Sequence, residues 1–366
     1  MPDWSGWPAR RMSIRYRPLG SSELIVSEIG IGCQPLGGGL YHGDAREAVA
    51  TLRRAFASGI NFFDTSDHYG LGRSEILLGR AFHAERDRVV LATKAGTLYS
   101  VAGKTLLKLR PLARPIGRVL RPLKLRLDRL RAAQRRCDFS PEYLIGCVEA
   151  SLRRLRTDYL DLLQLHKPPA ELLESGQLVA TMETLRTQGK LRYLGIACDT
   201  LQDAFLCLDL PGITSIQVTV NLIQQEAIDL LSLAGRNGLG VIARNPRAQG
   251  HLTDRLEDIT AETYAADRAA FEQSRLNAAL FRDLANERRT LAQVALQFVC
   301  QLDGVSVAIP RVATRSQLGE VLGSLSAPPL SARELSTIAA LWQQSVRPVS
   351  RYSYRIARGQ GYVNRP

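Results

Sequence analysis

The sequence predicts an α/β fold, a closed (β/α)8 TIM barrel with a basic insertion after strand three and a long loop after strand seven. The main observation is a series of eight short apolar runs bounded by turn residues, a pattern typical of buried strands. The runs are 29-IGIGC-33, 60-INFFDT-65, 89-VVLATK-94, 159-YLDLLQLH-166, 191-LRYLGIA-197, 215-SIQVTVN-221, 240-GVIARN-245 and 305-VSVAIP-310.

Segments of helical period separate these runs, for example 45–59, 141–156 and 285–301. Ser140 and Pro141 predict a helix start, because serine caps helices and proline suits the first helical position. Strands that alternate with helices form parallel sheets, and eight such units favour a closed barrel. The stretch 30-GIGCQPLGGG-39 lacks the G-x-G-x-x-G spacing of an open dinucleotide-binding sheet.

The composition excludes several classes of protein. The chain has 366 residues, 45% of them hydrophobic, which suffices for one large domain or two ordinary ones. It has no apolar run long enough for a membrane span and no apolar signal region at its start. Its six cysteines are scattered without a C-x-x-C pair, which favours a reducing cytoplasm and indicates neither a zinc site nor a disulfide framework.

The positive charge is concentrated in one segment. The formal net charge is +13, and residues 101–136 hold twelve Lys or Arg and one acid, Asp128. The remainder has 36 basic and 34 acidic residues, a net charge of +2. We therefore predict no nucleic-acid partner, since the rest of the chain is nearly neutral.

Ionisable side chains follow several strands at their carboxyl ends, where the catalytic groups of such barrels lie. Asp64 ends strand two, with Tyr69 in the next loop, Lys94 ends strand three, and His166 ends strand four. Each alone has an ordinary alternative: a solvated lysine, a histidine satisfied in the core, or a tyrosine packed in a loop. Because adjacent parallel strands bring the four together, we interpret them as one catalytic set.

These residue types suit proton transfer to or from an oxygen that becomes, or was, a carbonyl. We expect the Lys94 ammonium to lower the pKa of Tyr69, and Asp64 to keep Lys94 charged. His166 would donate a hydrogen bond that orients the carbonyl toward Tyr69. None of the four supplies a hydride, so a nicotinamide cofactor has to be added.

Other chemistry has little support in the sequence. The five histidines show no metal-ligand spacing, so no metal site is predicted, and neither a G-x-S-x-G elbow nor a P-loop occurs. His68 adjoins Tyr69 and either lines the pocket or is a solvated loop residue.

Long motifs resemble those of the aldo-keto reductase superfamily, from about Ile14 to Leu325. They are 59-GINFFDTSDHYGLGRSEILLG-79, 89-VVLATKAG-96, 157-TDYLDLLQLHKP-168, 189-GKLRYLGIA-197, 217-QVTVNLI-223, 291-LAQVALQFV-299 and 305-VSVAIPRVATRSQL-318. The resemblance implies a (β/α)8 barrel that binds NADP(H) across its C-terminal mouth. In that family a tetrad is catalytic, with the tyrosine as general acid, and it maps onto Asp64, Tyr69, Lys94 and His166.

The resemblance also implies cofactor-binding positions, some of which depart from the family pattern. Cys198 lies in an Ala-Cys pair where a Ser-Asn pair usually holds the nicotinamide carboxamide, whereas Gln217, the other carboxamide contact, is retained. Arg244 replaces an aromatic residue that stacks on the nicotinamide, and its charge would disfavour the oxidised ring. The remaining predicted positions are Gly250 and, for the adenosine 2′-phosphate, Arg311 and Arg315.

The expected protein is an NADPH-dependent oxidoreductase that reduces an aldehyde, ketone or keto-sugar to an alcohol, with Tyr69 as general acid. The alternative is a catalytically weak, cofactor-binding regulatory or partner subunit with the same barrel. The expected partner is a small-molecule carbonyl compound, and the oligomeric state is left open.

The barrel is predicted to span residues 12–346, with an N-terminal extension at 1–11 and a C-terminal tail at 347–366. A short hairpin should lie within 12-MSIRYRPLGSSELIVSEIGIG-32. The long loop after strand seven, at about 247–274, is expected to cover the cofactor.

The basic insertion, residues 97–139, should emerge beside the site because it follows strand three. Eleven Leu, Ile or Val residues from Leu106 to Leu130 favour packing over disorder, and Leu123 to Arg136 is the best candidate for a helix. Three alternatives remain: a lid whose arginines favour an anionic substrate, a basic surface for an acidic partner or membrane, or a rim covering without a ligand.

Overall fold

Eight parallel strands, one from each predicted apolar run, form the central sheet. The computed structural model describes residues 14–37, 44–99, 135–174, 177–253 and 268–347. The strands of the sheet are β3 (Ile31–Gly32), β4 (Phe62–Asp64), β5 (Val90–Ala95), β8 (Leu160–His166), β9 (Leu191–Ala197), β10 (Ser215–Thr219), β11 (Gly240–Arg244) and β12 (Val305–Ile309).

Parallel bridges between the first and last strands close the sheet into a barrel. Ile29 pairs with Ala308, and Gly32 pairs with Arg311. All other neighbours in the sheet are parallel too, so the carboxyl ends of the strands meet at one mouth. The predicted fold class, a (β/α)8 barrel, is confirmed.

Helices cover the outside of the barrel. Within the described ranges they are α1 (Ala45–Ala57), α2 (Arg73–Phe82), α3 (Pro141–Leu155), α4 (Ala170–Glu174), α5 (Gln177–Thr187), α6 (Leu201–Leu206), α7 (Ile228–Arg236), α8 (Arg268–Ala279), α9 (Leu291–Gln301), α10 (Arg315–Ser326) and α11 (Ala332–Leu341). Helix α1 shows the pattern: Ala48, Leu52 and Ala55 recur at three- to four-residue spacing and are buried against the sheet.

One predicted helix start and one predicted helix cap need correction. The helix expected over 285–301 begins at Leu291, because Thr290 caps it in a box with Gln293 and the preceding residues form a bridged turn. Pro141 is the first residue of α3 as predicted, but Ser140 does not cap it with its side chain. Its hydroxyl donates to Asp138 Oδ1 at 2.8 Å instead.

Apolar side chains fill the barrel interior at the end away from the mouth. The predicted N-terminal hairpin forms there, with β1 (Tyr16–Pro18) antiparallel to β2 (Ile25–Ser27). Leu19 and Leu24 of its turn pack with inward-facing residues of the strands, such as Phe62 and Leu162. Because this end of the barrel is filled with apolar side chains, the ionisable groups lie at the opposite end.

The basic insertion begins and ends as a two-stranded ribbon, in which β6 (Thr97–Tyr99) pairs antiparallel with β7 (Arg135–Cys137). The helix predicted for Leu123 to Arg136 is therefore wrong at its last two residues, because their backbone pairs with Leu98 and Tyr99. The rest of that predicted helix lies outside the described residues.

Three other predicted segments fall wholly or partly outside the described residues. The extension at 1–11 lies outside them, as does the tail apart from Arg347. The loop expected over 247–274 is described only to Thr253 and again from Arg268, where α8 begins, so its last residues are helical. None of the helices that the structure describes is long and apolar enough to cross a membrane.

The loop that carries Tyr69 is fixed by a close approach of two backbones. Gly70 has φ +64°, and a Cβ placed on it would lie 1.7 Å from the carbonyl oxygen of Gly37. A Cβ on Gly37 would in turn lie 2.4 Å from the backbone of Tyr69. Only glycine fits both positions without moving the loop.

We expect Gly70→Ala to lower the free energy of unfolding by roughly 1–3 kcal/mol, because it adds steric overlap to an unfavourable φ. Urea unfolding measures this. The matched control is Gly146→Ala on the exposed face of α3, where a Cβ meets nothing within 4 Å. That change should stabilise by about 0.5–1 kcal/mol. Equal stability of Gly70→Ala and the wild type would contradict the packing argument.

Candidate active site

The period of two along each strand points the ionisable residues into the barrel mouth. In β8, Leu163 and Leu165 belong to the outer core between sheet and helices, whereas Leu162 lies in the inner one. Gln164 and His166 share the inward face with Leu162. The same alternation places Asp64 and Arg244 inward at the ends of β4 and β11, Lys94 inward near the end of β5, and Gln217 inward in the middle of β10.

A buried ion pair lies at the centre of the mouth. Lys94 Nζ donates to Asp64 Oδ2 at 2.5 Å and to the backbone oxygen of Thr65 at 2.9 Å. The two charged side chains are 1% and 4% exposed. Burial lowers the pKa of Lys94, but the electrostatic interactions with Asp64 and Tyr69 and the hydrogen bond to Asp64 outweigh it and raise the pKa above 10.5. The expectation that Asp64 keeps Lys94 charged is therefore supported.

The second carboxylate oxygen of Asp64 accepts two amide hydrogen bonds. Gln164 Nε2 and Gln217 Nε2 each lie 2.9 Å from Asp64 Oδ1, and Gln217 Nε2 also donates to Gln164 Oε1 at 2.8 Å. We call these three side chains the amide network. Gln164 was not among the predicted site residues, although a polar residue two positions before His166, on the same face of an apolar strand, was a visible signal.

Tyr69 lies beside this pair, with Lys94 Nζ 5.4 Å from the centroid of its ring. Burial raises the pKa of Tyr69 above its ordinary value of 10.0, although Lys94, Arg311 and Arg244 act to lower it. Lys94 thus acts on the pKa of Tyr69 in the predicted direction, but desolvation of the phenolate is the larger effect and the net shift is upward. The side chain is a neutral phenol.

His166 is held on two sides. Its Nδ1 lies 3.0 Å from Thr97 Oγ1, at the start of the insertion ribbon, and its ring stacks on His68 at 4.9 Å with 16° between the planes. Burial, followed by the electrostatic effects of His68, Lys94, Lys167 and Arg244, lowers the pKa of His166 well below 6.5. The imidazole is therefore neutral.

His68 belongs to the pocket. Its Nδ1 lies 2.6 Å from Ser66 Oγ, and its ring meets Tyr69 edge-on at 4.7 Å. Its side chain is only 9% exposed. Of the two alternatives for this residue, the pocket-lining one is confirmed.

Two of the predicted cofactor positions are oriented differently from each other. Arg244 Nε donates to Thr219 Oγ1 at 3.0 Å, and its charge acts on both Tyr69 and His166, so it lies at the mouth. Cys198 is fully buried on the outer face of the sheet, with its sulfur 3.9 Å from that of Cys207. The structure does not bring the Cys198 side chain to the other site residues.

Three further predicted positions lie after β11 and β12. Arg311 donates to Asn245 Oδ1 at 3.1 Å, and Arg315 is the first residue of α10. Gly250 ends a short turn with φ +110°. Arg247, which the sequence reasoning did not single out, fastens this turn to α10 by a 2.8 Å ion pair with Glu320.

Comparison with known proteins identifies the chain. The model of the aldo/keto reductase family matches residues 28–343. The chain belongs to the aldo/keto reductase family. It is therefore an oxidoreductase, and a small carbonyl compound is the kind of partner that membership implies.

Its relatives within the family include enzymes and solved structures. An uncharacterized oxidoreductase, YqkF, from Bacillus subtilis is 27% identical over 342 residues, which cover 91% of this chain and 98% of that protein. The holo form of aldo-keto reductase AKR11C1 from Bacillus halodurans superposes with a TM-score of 0.72 at 27% identity, covering 93% of this chain and all of that one.

A third relative was solved with a nucleotide bound. An aldo/keto reductase from Klebsiella pneumoniae in complex with NADP and acetate has a TM-score of 0.62 at 26% identity. The superposition covers 88% of this chain and 94% of that one. Members of this family bind a nicotinamide cofactor, which is the hydride source that the four ionisable residues lack. Among the described residues of this reductase, no group of three or more histidine, cysteine or carboxylate side chains could hold a metal ion.

We expect the reductase to lose stability as pH falls below about 6.5, in part because His166 takes up a proton more readily when unfolded. A lowered folded-state pKa contributes stability that is complete above the unfolded value and is lost below it, at up to about 1.4 kcal/mol per pH unit. Denaturant unfolding of the wild type and His166→Gln between pH 7.5 and 5 isolates this contribution. The stability difference between them should shrink as pH falls.

His83, an exposed residue at the end of α2, is the control. His83→Gln should follow the wild-type curve across this range. Parallel curves for the wild type and His166→Gln would contradict a neutral, buried His166.

Proposed function

We propose that this protein is an NADPH-dependent carbonyl reductase that converts an aldehyde, a ketone or a keto-sugar into an alcohol. The observation that supports this most is the buried Asp64–Lys94 ion pair beside a neutral Tyr69 and a neutral His166. The set combines a proton donor, a cation that eases the loss of its proton, and a hydrogen-bonding ring. These are the requirements for protonating a carbonyl oxygen as carbon is reduced.

Tyr69 is proposed as the general acid. Its raised pKa keeps the phenol protonated at neutral pH, so the proton is present when a carbonyl binds. As the proton leaves, the phenolate is stabilised by the Lys94 ammonium, whose own charge is maintained by Asp64. The lysine therefore acts on the developing phenolate more than on the resting tyrosine.

His166 is proposed to orient the substrate. Because its pKa is low, it is a neutral hydrogen-bonding group and not a proton donor to the product. If the Thr97 hydroxyl donates to Nδ1, the remaining N–H of the ring lies on Nε2. That N–H can donate to a substrate carbonyl oxygen and hold it toward Tyr69.

The residues at the mouth fit a nicotinamide dinucleotide, which supplies the hydride when bound. Gln217 offers a hydrogen-bond acceptor to the carboxamide, and Arg244 offers a planar cation to the nicotinamide ring. Gly250 has no side chain, so a nucleotide can approach its backbone closely. Arg311 and Arg315, at the start of a helix, suit the 2′-phosphate. The NADP complex of the Klebsiella pneumoniae relative supports this choice of nucleotide. Any role for Cys198 would have to come from its backbone.

Arg244 would also bias the direction of the reaction. A guanidinium over the ring repels a positively charged, oxidised nicotinamide more than a neutral, reduced one. Tighter binding of the reduced nucleotide favours carbonyl reduction, and weaker binding of the oxidised nucleotide favours its release. An anionic substrate, a ligand role for the basic insertion at 97–139 and a reducing cytoplasmic location stay predictions from the sequence.

We expect Tyr69→Phe to lower carbonyl-dependent oxidation of NADPH by roughly 10²–10⁴-fold, because it removes the general acid. The dissociation constant for NADPH, measured by fluorescence titration, should stay close to that of the wild type. Tyr193→Phe is the control, since its hydroxyl contacts Glu23 near the N-terminal hairpin. That change should leave turnover unaltered.

Full activity in Tyr69→Phe would contradict the mechanism. Tight NADPH binding without turnover of any compound in a broad carbonyl panel would instead favour the regulatory subunit.

We expect Arg315→Leu to weaken NADPH binding by roughly ten- to a hundredfold, because a charged hydrogen bond to the 2′-phosphate is lost. The affinity for NADH, which has no such phosphate, should change little. Arg333→Leu, an exposed arginine of α11, is the matched control for the loss of one positive charge. Equal dissociation constants of the wild type for NADPH and NADH would remove the proposed preference.

A further inference from the structure

Gln164 is a buried polar residue to which the proposed mechanism gives no role. Its side chain is fully buried, and both ends of its amide are used: Nε2 donates to Asp64 Oδ1 and Oε1 accepts from Gln217 Nε2. Leu162 and Leu163 precede it in a strand whose core positions are otherwise apolar apart from Asp161. An amide in such a place is costly unless it is hydrogen-bonded, and this one is bonded through both its nitrogen and its oxygen.

The charge of Asp64 fixes the orientation of both amides. A carboxylate paired with Lys94 is ionised and can only accept hydrogen bonds. Gln164 and Gln217 must therefore each turn an NH2 group toward it. The contact between Gln217 Nε2 and Gln164 Oε1 is possible only in this orientation, because two NH2 groups cannot bond to each other's donors.

The amide network consequently directs the carbonyl oxygen of Gln217 away from Asp64. Both hydrogens of Gln217 Nε2 have acceptors within the network. Among the described residues, no group donates a hydrogen bond to the Oε1 of Gln217. This oxygen is also not one of the fully enclosed side-chain atoms that lack a hydrogen bond. It is an acceptor at the mouth of the barrel that a ligand with an N–H group could use.

The Gln217 oxygen is especially important for binding a nicotinamide carboxamide, because the pair of residues after β9 offers it no polar side chain. The pair after β9 is Ala197 and Cys198, and neither offers a polar side chain to the mouth. Cys198 lies on the outer face, against Cys207. Among the described residues, Gln217 is the one predicted carboxamide contact whose side chain offers a polar group.

We propose that Gln164 is a positioning residue that holds the Gln217 carbonyl toward the carboxamide NH2 of the nicotinamide and joins this contact to the Asp64–Lys94 pair. Without Gln164, Gln217 keeps one donor bond to Asp64 and can turn about it, so its oxygen is no longer directed. This proposal rests on the proposed cofactor.

The test compares two nucleotides that differ only at the carboxamide. NADP⁺ has the NH2 group, and its 3-acetylpyridine analogue has a methyl group in that place. Titrations of the wild type should give a dissociation constant roughly tenfold larger for the analogue, the effect of one lost hydrogen bond. In Gln164→Met, which has nearly the same size but no amide, the ratio of the two constants should fall to about one.

Controls separate positioning from general damage. Gln297→Met removes another buried glutamine, whose Nε2 bonds to backbone oxygens of Ala327 and Pro328, and should keep the wild-type ratio. In Gln217→Met the ratio of the two dissociation constants should also fall to about one. The double variant should show the same ratio as either single variant. If Gln164→Met does not fold, Gln164→Asn, which is too short for both contacts, replaces it.

Each outcome has one meaning. A wild-type ratio retained in Gln164→Met, or a wild type that binds both nucleotides equally, overturns the proposal and leaves the reductase function standing. A wild type that binds neither NADP⁺ nor NADPH overturns the proposed function itself.

Discussion

A lysine ammonium and an aspartate carboxylate lie 2.5 Å apart inside the barrel mouth, where neither could remain charged alone. Burying a charge costs several kcal/mol unless partners replace the lost water. Here Lys94 gains Asp64 and a backbone oxygen, and Asp64 gains two amides in addition to Lys94. These contacts join four strands, β4, β5, β8 and β10. The geometry of the mouth depends on this pair.

Burial and nearby positive charge both shift the pKa values of Tyr69 and His166, the two uncharged members of the site. Burial raises the pKa of Tyr69 and lowers the pKa of His166, so both favour their neutral forms. The nearby cations oppose the first effect and add to the second. The result is a phenol that keeps its proton until an oxygen can receive it, next to a ring that hydrogen-bonds without carrying charge.

Segments outside the barrel strands complete the site. The ribbon that starts the basic insertion brings Thr97 to His166, so the insertion is joined directly to the proposed chemistry. The turn after β11 is fastened to α10 by Arg247 and Glu320, beside the arginines proposed to bind phosphate. At the other end, the N-terminal hairpin closes the barrel with apolar side chains.

The sequence by itself determined the eight strands, the parallel barrel and the position of Asp64, Lys94 and His166 at strand ends, because apolar runs and their period are local properties. The same period of two could have placed Cys198 on the outer face. Tertiary structure alone decided the net direction of the Tyr69 pKa shift, since burial and charge had to be weighed in three dimensions. It also decided the contacts of Gln164 and Thr97, because they join residues of different strands through a register that no local pattern contains.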